Sequence, residues 1–299
     1  MTATAPVPAA GAGGSTPVSA PRTSPRVRSW SAAIGGVLLA GFVAVAVLGP
    51  VLAPYGATER PGAPFERPST MFRLGTDDVG KDLLSQLILG TRSSLVVGVG
   101  TAALAIGFGA LVGSVAGLRS GWVDGLAMRT VDVVLALPFL PLLIIASAFS
   151  GGGLVAQILL IAALTWARPA RLIRSSVLEA RSRGHVEVAE GMGATRWRIL
   201  WRHLSIGAAP LLIPLFLRAA MSAILLEATL AFLGLGDPSR ASWGTMLFWA
   251  NVRSAVLTDA WLWWVVPPGL AIALLIVSMG LVGVAAEERL DPSRSRAVS

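Results

Sequence analysis

The sequence predicts an all-α polytopic membrane protein with six transmembrane helices. Apolar residues make up 54% of the 299 residues, charged residues make up only 13%, and the mean hydropathy is +0.72. This charged share is about half of what soluble domains carry, too little to cover the surface of a soluble chain. The net charge of +8 is therefore interpreted first as a topology signal and not as a sign of nucleic-acid binding. The absence of cysteine excludes disulfides and cysteine-ligated metal sites.

Long stretches without charge place the six spans, because about 20 apolar residues are needed to cross the hydrocarbon core. Residues 1–29, rich in Ala, Pro and Ser, are predicted to be a disordered tail. The glycines at 151–153 divide one long apolar run into a hairpin of two spans. The predicted spans are 30–54, 93–118, the two halves of 133–167, 215–235 and 262–286. The last five belong to a predicted core at 91–286.

The distribution of basic residues predicts the orientation. Sixteen Arg residues lie in four segments of the chain. These segments are the two tails, 1–29 and 287–299, and the loops at 119–130 and 168–202. The loops at 55–90 and 237–260 hold 6 basic residues. Basic residues concentrate on the cytoplasmic side of membrane proteins, so both termini are predicted to be cytoplasmic and 55–90 to be external.

The external segment at 55–90 carries a cluster of acidic residues, Asp77, Asp78 and Asp82. Their spacing does not fit a calcium-binding EF-hand loop. An apolar stripe from Val79 to Ile88 instead predicts an external amphipathic helix that lies on the bundle. Thr76 or Asp78 is the expected N-cap of this helix.

The loop at 168–205 is too charged to lie in lipid, and its periodicity predicts two short helices about the turn 191–193. In the second helix an apolar face opposes an Arg-rich face. Two interpretations stay open on this pattern alone. The pair of helices either docks into a groove of a cytoplasmic partner or lies among lipid headgroups as an interfacial hairpin. The apolar face holds Trp197, Leu200, Trp201 and Leu204, and the opposite face Arg196, Arg198 and Arg202.

The stretch 187–204 resembles the EAA loop of ABC importer permeases. Glu187, Ala189 and Gly193 match that motif at its spacing, whereas Val188 and Ser205 depart from it. Three further blocks, at 74–85, 227–247 and 263–292, resemble one of the two permeases of dipeptide, oligopeptide and nickel importers. The four blocks occur in the family's order over most of the chain.

The resemblance implies a type I ABC importer permease in a bacterial plasma membrane. The implied partners are membrane lipid, a second homologous permease, an extracytoplasmic solute-binding protein and two ATP-binding subunits, which would bind ATP and Mg²⁺. It implies no cofactor on this chain, no enzymatic activity of its own, and a di- or oligopeptide cargo, with nickel or another small solute as the alternative. The implied coupling residues are Glu187, Ala189, Gly193, Arg196, Trp197 and Arg198; the implied external contacts are Asp77, Asp78, Asp82 and Trp243.

Glu227 is an acidic residue well inside a predicted span. A charge at the helix centre costs about 2.5–3.5 kcal/mol on insertion scales, so Glu227 should face the bundle or a water-filled pathway. Arg218 lies about 13 Å away along a straight helix, too far for direct pairing. A role in the pathway or its gate and a structural hydrogen bond to another helix are both open. Asp132 is expected to cap the third span.

Other function classes fit the sequence less well. A secondary transporter usually needs inverted repeats and several ionisable residues at the midplane. A membrane enzyme would need a metal triad or a Ser/His/Asp set, and neither is arranged in the sequence. His185 and His203 lie 18 residues apart with no carboxylate pattern around them, and the glycine-rich stretch 98–117 lacks the phosphate-loop signature.

Overall fold

The computed structural model describes residues 25–119, 121–181 and 205–290. It describes side chains from residue 30 onward, except those of residues 205–210 and 289–290. The described residues form helices, turns and irregular segments, with one isolated bridge between Thr76 and Asp82. The helices are α1 (Pro25–Leu52), α2 (Leu83–Leu118), α3 (Trp122–Ala136), α4 (Phe139–Phe149), α5 (Leu154–Thr165), α6 (Ala167–Arg181), α7 (Ser205–Phe232), α8 (Trp243–Val252), α9 (Trp261–Trp264) and α10 (Val266–Leu290), with a 3₁₀ turn at Ala255–Leu257.

Four segments of the described chain are long and apolar enough to cross a membrane. Two bent pairs, α3 with α4 (85°) and α5 with α6 (46°), pass the same test together. Counting each bent pair as one span gives six, which agrees with the predicted all-α polytopic class. The four continuous spans are Trp30–Leu52, Leu83–Leu118, Leu211–Phe232 and Trp261–Glu288.

The third span differs from its prediction in both start and shape. It begins at Trp122, about three turns of helix before the charge-free run that starts at Val133, and it breaks between α3 and α4. Pro138 explains the break, because proline lacks an N–H donor and disfavours helix at the preceding residue; Leu137 is indeed extended. Asp132 therefore does not cap the span. It lies inside α3 and forms an ion pair with Arg171 of α6.

The glycine-rich turn lies where the sequence places it. Helix α4 ends at Phe149 and α5 begins at Leu154. Gly151 and Gly152 between them have φ of +75° and +72°, a conformation that residues with a side chain rarely adopt. The two apolar helices can therefore reverse direction within four residues.

The external segment departs most from the prediction. No separate amphipathic helix exists there; Leu83 opens α2, which continues without interruption to Leu118. The N-cap is Asp82 and not Thr76 or Asp78. Gly80, with φ of +83°, interrupts the apolar stripe, so helix cannot extend back to Val79.

The predicted boundaries at both ends of the chain and around the cytoplasmic loop are only partly described. Helix α1 begins at Pro25, five residues inside the tail predicted to be disordered, and residues 1–24 lie outside the described part. The first helix of the loop is present to Arg181 as α6, which follows directly on α5. The rest of the loop, 182–204, and the tail after 290 lie outside the described residues.

Helix α2 lies at the centre of the packing, between α1, α5, α6 and α7. Its glycines allow α6 to approach closely. A Cβ at Gly113 would lie 2.3 Å from the carbonyl oxygen of Ala170, and one at Gly117 would lie 2.6 Å from Cγ1 of Val177. Small residues serve this purpose in membrane helix pairs, where packing replaces the hydrophobic effect as the source of association.

We expect Gly113→Val to destabilise the protein, because the new side chain meets the backbone of α6. Overpacking of this kind costs about 1–3 kcal/mol. Thermal unfolding in detergent, followed by tryptophan fluorescence, would show a lower midpoint. The matched control is Gly107→Val on the same helix, where a Cβ meets nothing within 4 Å; equal midpoints for the two variants would contradict the packing described here.

Candidate functional site

Glu227 lies at a junction of three spanning helices and an external loop. It belongs to α7 and is only 3% exposed. The Ser94 hydroxyl of α2 donates a hydrogen bond of 3.4 Å to its Oε2. A narrow cleft beside the carboxylate is also lined by Gln157 of α5 and Ser242 of the loop after α7. The carboxylate thus faces other protein groups and not lipid. We refer to Glu227, Ser94, Gln157 and Ser242 as the polar junction.

The loop after α7 is seated directly on that helix. Gly234, with φ of +78°, ends α7. Gly244 at the start of α8 lies so close to α7 that a Cβ there would come within 2.6 Å of Cβ of Ala231. Ser242 N-caps α8 in a capping box with Thr245. The short helix α8 is therefore fixed over one end of the polar junction.

Gln157 leaves the junction incompletely paired. The residue is 4% exposed, and its Nε2 has no hydrogen-bond partner among the described residues. A buried amide donor without a partner destabilises a structure unless a water, a ligand or another conformation satisfies it. The junction therefore combines a carboxylate acceptor, serine hydroxyls and an unpaired donor in one cleft.

Two of the three clustered aspartates hold the external segment together from inside. Oδ1 of Asp77 accepts from the backbone N–H groups of Val79 (2.9 Å) and Lys81 (2.8 Å), and its Oδ2 accepts from Nε2 of Gln86 (2.9 Å). Oδ2 of Asp82 accepts from the N–H of Ser85 at 2.8 Å, which caps α2. Both carboxylates are buried.

The third aspartate and Trp243 join the external segment to α8. Asp78 forms a 2.7 Å ion pair with Arg253. Trp243 is fully buried, donates from Nε1 to the carbonyl oxygen of Leu87 at 3.1 Å, and meets the Phe42 ring edge-on at 5.8 Å. The resemblance assigns Asp77, Asp82 and Trp243 to external contacts, but their side chains are buried, with exposed fractions of 6%, 3% and 0%. Their contact with an external partner stays a prediction.

An open cleft beside these aspartates presents basic groups. It lies between the external segment and the loop before α8, and it is lined by Arg60, Lys81 and Arg240 together with Asp77 and Asp78. Asp77 accepts hydrogen bonds from groups inside the protein, and Asp78 pairs with Arg253. Positive charge therefore predominates at the mouth of the cleft. Asp237, near Arg240, stays ionised because the Ser239 hydroxyl donates to it and lowers its pKa.

The helix that leads into the cytoplasmic loop is anchored to its neighbours. Arg174 of α6 forms a bidentate pair with Asp124 of α3, at 2.5 and 2.6 Å. Arg181, at the end of α6, donates to the carbonyl oxygen of Gly117 at 3.0 Å. Bidentate arginine–carboxylate pairs fix orientation as well as distance. A displacement of the loop would therefore be passed to α2 and α3.

The residues assigned to coupling, from Glu187 to Arg198, lie outside the described residues. The sequence analysis also missed residues that the structure brings together. Gln157 carries no signal in the sequence, because a single amide in an apolar helix is common. The pair Arg174–Asp124 joins residues 50 positions apart, and only their opposite charges on successive spans could have suggested it.

Taken together, the six spans and the buried polar junction define a multi-pass integral membrane protein with polar groups gathered between its helices. Residues 109–296 match the family model described as binding-protein-dependent transport system inner membrane component. A di/tripeptide transport system permease protein of Pseudomonas aeruginosa is 35% identical over 279 residues, covering 89% of each chain. A glutathione transport system permease protein of Pectobacterium atrosepticum is 32% identical over 272 residues, covering 89% of this chain and 88% of that protein.

The chain belongs to the family of binding-protein-dependent transport system inner membrane components. It is a permease subunit of an ABC importer, with the type I permease fold that the sequence analysis predicts. It therefore acts as a multi-pass transport subunit within a larger complex. This assignment confirms the resemblance drawn from the four sequence blocks.

We expect Asp82→Ala to lower the stability of the external segment, because it removes the N-cap of α2 and a buried acceptor. Loss of an N-cap costs about 0.5–2 kcal/mol. Limited proteolysis of the 55–82 segment and the thermal midpoint would both report the change. Glu287→Ala is the control, since Glu287 pairs with Arg218 away from the 55–82 segment. Cleavage no faster in Asp82→Ala than in Glu287→Ala would show that the cap is dispensable.

Proposed function

We propose that the chain forms half of the translocation pathway of a bacterial importer for di- or oligopeptides. The observation that carries the proposal is the match to two permeases named for di/tripeptide and glutathione transport, over about nine-tenths of the chain. The second half of the pathway is a homologous permease. An extracytoplasmic binding protein delivers the peptide, and two ATP-binding subunits bind ATP and Mg²⁺ and supply the energy.

The polar junction is the proposed pathway or gate element. Glu227 and Gln157 lie under the external loop and between spanning helices, where a charged or polar group is found chiefly in pathways and gates. The unpaired amide of Gln157 supports a conformational change, because a second arrangement of the helices can satisfy it. Movement of α7 or α8 would open the cleft and expose Glu227 toward the external side.

The external face of the complex is the proposed docking area for the binding protein. Because Asp77, Asp82 and Trp243 are buried, their proposed role in docking is indirect: they hold the external segment and α8 in place. Asp78 lies at the cleft with its partner Arg253. The exposed basic groups Arg60 and Arg240 are better placed for direct contact.

Uptake into proteoliposomes tests the cargo. The permease and its co-purifying subunits, supplied with the binding protein encoded beside them, should accumulate radiolabelled tripeptide only with ATP and Mg²⁺ inside. Nickel uptake is measured in parallel. Nickel accumulation without peptide accumulation would overturn the peptide assignment while leaving the permease assignment intact.

The proposed orientation places both termini in the cytoplasm, supported by 16 basic residues on one side against 6 on the other. The chain has no cysteine, so single cysteines at positions 5 and 297 can be introduced without background. Neither should react with an impermeant maleimide in intact cells, and both should react after permeabilisation. A cysteine at position 73 in the external segment is the positive control; labelling of position 5 or 297 from outside contradicts the orientation.

Gly193→Val tests the proposed coupling role of the EAA-type loop, in which Glu187, Ala189, Arg196, Trp197 and Arg198 contact an ATP-binding subunit. A β-branched side chain opposes a turn that needs positive φ or bare backbone. The variant should insert and assemble but lose the stimulation of ATP hydrolysis by loaded binding protein in nanodiscs.

Gly125→Val serves as the control for that experiment, because a Cβ there meets nothing within 4 Å. It should be stimulated as the wild type is. If Gly193→Val is also stimulated normally, the loop only anchors at the lipid headgroups and the coupling assignment fails.

A further inference from the structure

Arg92 is a charged residue inside a spanning helix with no partner in the described chain. It lies on α2, nine residues after Leu83, within the continuous span Leu83–Leu118. Its side chain is exposed and forms no ion pair or hydrogen bond with any described residue. A charged residue within a spanning segment usually pairs with another group or extends to the membrane interface.

The surroundings of Arg92 form an apolar groove between α1 and α2. Arg92, Leu95, Val96 and Val99 follow helical spacing along one face of α2, and Val43, Ala46 and Val47 do so on α1. Ala46 and Leu95 are buried at its floor, whereas the four valines are 43–72% exposed. The groove has a volume of about 570 Å³, within the range of roughly 300–1,000 Å³ that small-molecule sites occupy.

The contact between α1 and α2 gives the position of Arg92 along this helix pair. Gly49 lies three residues before the end of α1, and a Cβ there would be 3.5 Å from Ile88 of α2. Arg92 is one turn further in, about 6 Å deeper along the helix. From that depth a long arginine side chain can extend its guanidinium to the headgroup region while its methylene groups stay in the apolar layer.

We propose that this groove binds a phospholipid, with one acyl chain against the valines and the phosphate paired with Arg92. The occupant must combine an apolar tail with an anionic head at the mouth of the groove, which is the chemistry of a phospholipid. A carboxylate on a neighbouring protein helix would itself have to be placed within the bilayer, which is unfavourable. The lipid phosphate already lies at the interface, and guanidinium–phosphate pairing is bidentate and strong. An anionic lipid is favoured because its net charge neutralises the arginine.

Native mass spectrometry of the delipidated complex tests the proposal, with dioleoyl-phosphatidylglycerol titrated against dioleoyl-phosphatidylcholine. Arg92→Gln should bind phosphatidylglycerol about tenfold more weakly than the wild type, the loss expected for one charge-assisted hydrogen bond. Arg119→Gln, at the opposite end of α2, is the control and should bind as the wild type does. Equal affinities for wild type and Arg92→Gln would overturn the proposal.

A second measurement identifies the occupant in native membranes and does not depend on the folding of Arg92→Gln. A photo-reactive p-benzoylphenylalanine replaces Val96 in the wall of the groove. After irradiation the chain should gain the mass of a phospholipid. A cross-link to a second permease or another protein, or the absence of a lipid adduct, would show that the groove is not a lipid site. Neither measurement depends on which cargo the importer carries.

Discussion

The arrangement of this permease depends on one constraint, that the carboxylate of Glu227 within a spanning helix needs partners from neighbouring elements of the protein. Glu227 meets it through Ser94 of α2 and the cleft shared with Gln157 and Ser242. This requirement brings α2, α5 and α7 to a common point and places the external loop over it. The glycines of α2 allow the approach, because Gly98 lies against Ile224 of α7 as closely as Gly113 lies against α6.

The external segment also pairs its carboxylates with groups inside the protein. Its carboxylates are used for internal hydrogen bonds and for one ion pair to Arg253, so the segment and α8 behave as one packed unit over the polar junction. A rigid unit above a buried carboxylate transmits movement in both directions. Under the proposed function, docking of the binding protein on this unit would displace α8 and with it the polar junction, and a shift of α7 would displace the unit in turn.

The sequence was sufficient for features that depend on local composition. Apolar runs without charge indicate where spanning segments lie, although the second and third begin at Leu83 and Trp122, before the predicted starts at 93 and 133. The three glycines at 151–153 locate the hairpin turn, because this signal is contained in a short stretch of chain. The Pro138 break could also have been found from the sequence, since proline acts on its immediate neighbours.

Features that depend on distant partners could not be found in this way. Asp77 and Asp82 look like an exposed acidic cluster in the sequence, yet Gly80 ends the helical pattern and nearby N–H groups draw both carboxylates inward. The resemblance assigns Trp243 to an external contact, whereas in the structure its ring packs against Phe42 and its Nε1 donates to the carbonyl oxygen of Leu87. Glu227 was correctly expected to avoid lipid, but its neighbours come from three other segments that no periodicity connects.

Transport by a Glu227→Leu variant tests the central claim most directly, because leucine fits an apolar helix but cannot accept the hydrogen bond from Ser94. Peptide uptake per assembled complex in proteoliposomes is the measurement, with Glu59→Leu in the exposed external segment as the control. The account predicts normal assembly and control-level uptake for Glu59→Leu, and normal assembly with strongly reduced uptake for Glu227→Leu. Wild-type uptake by an assembled Glu227→Leu complex would contradict it.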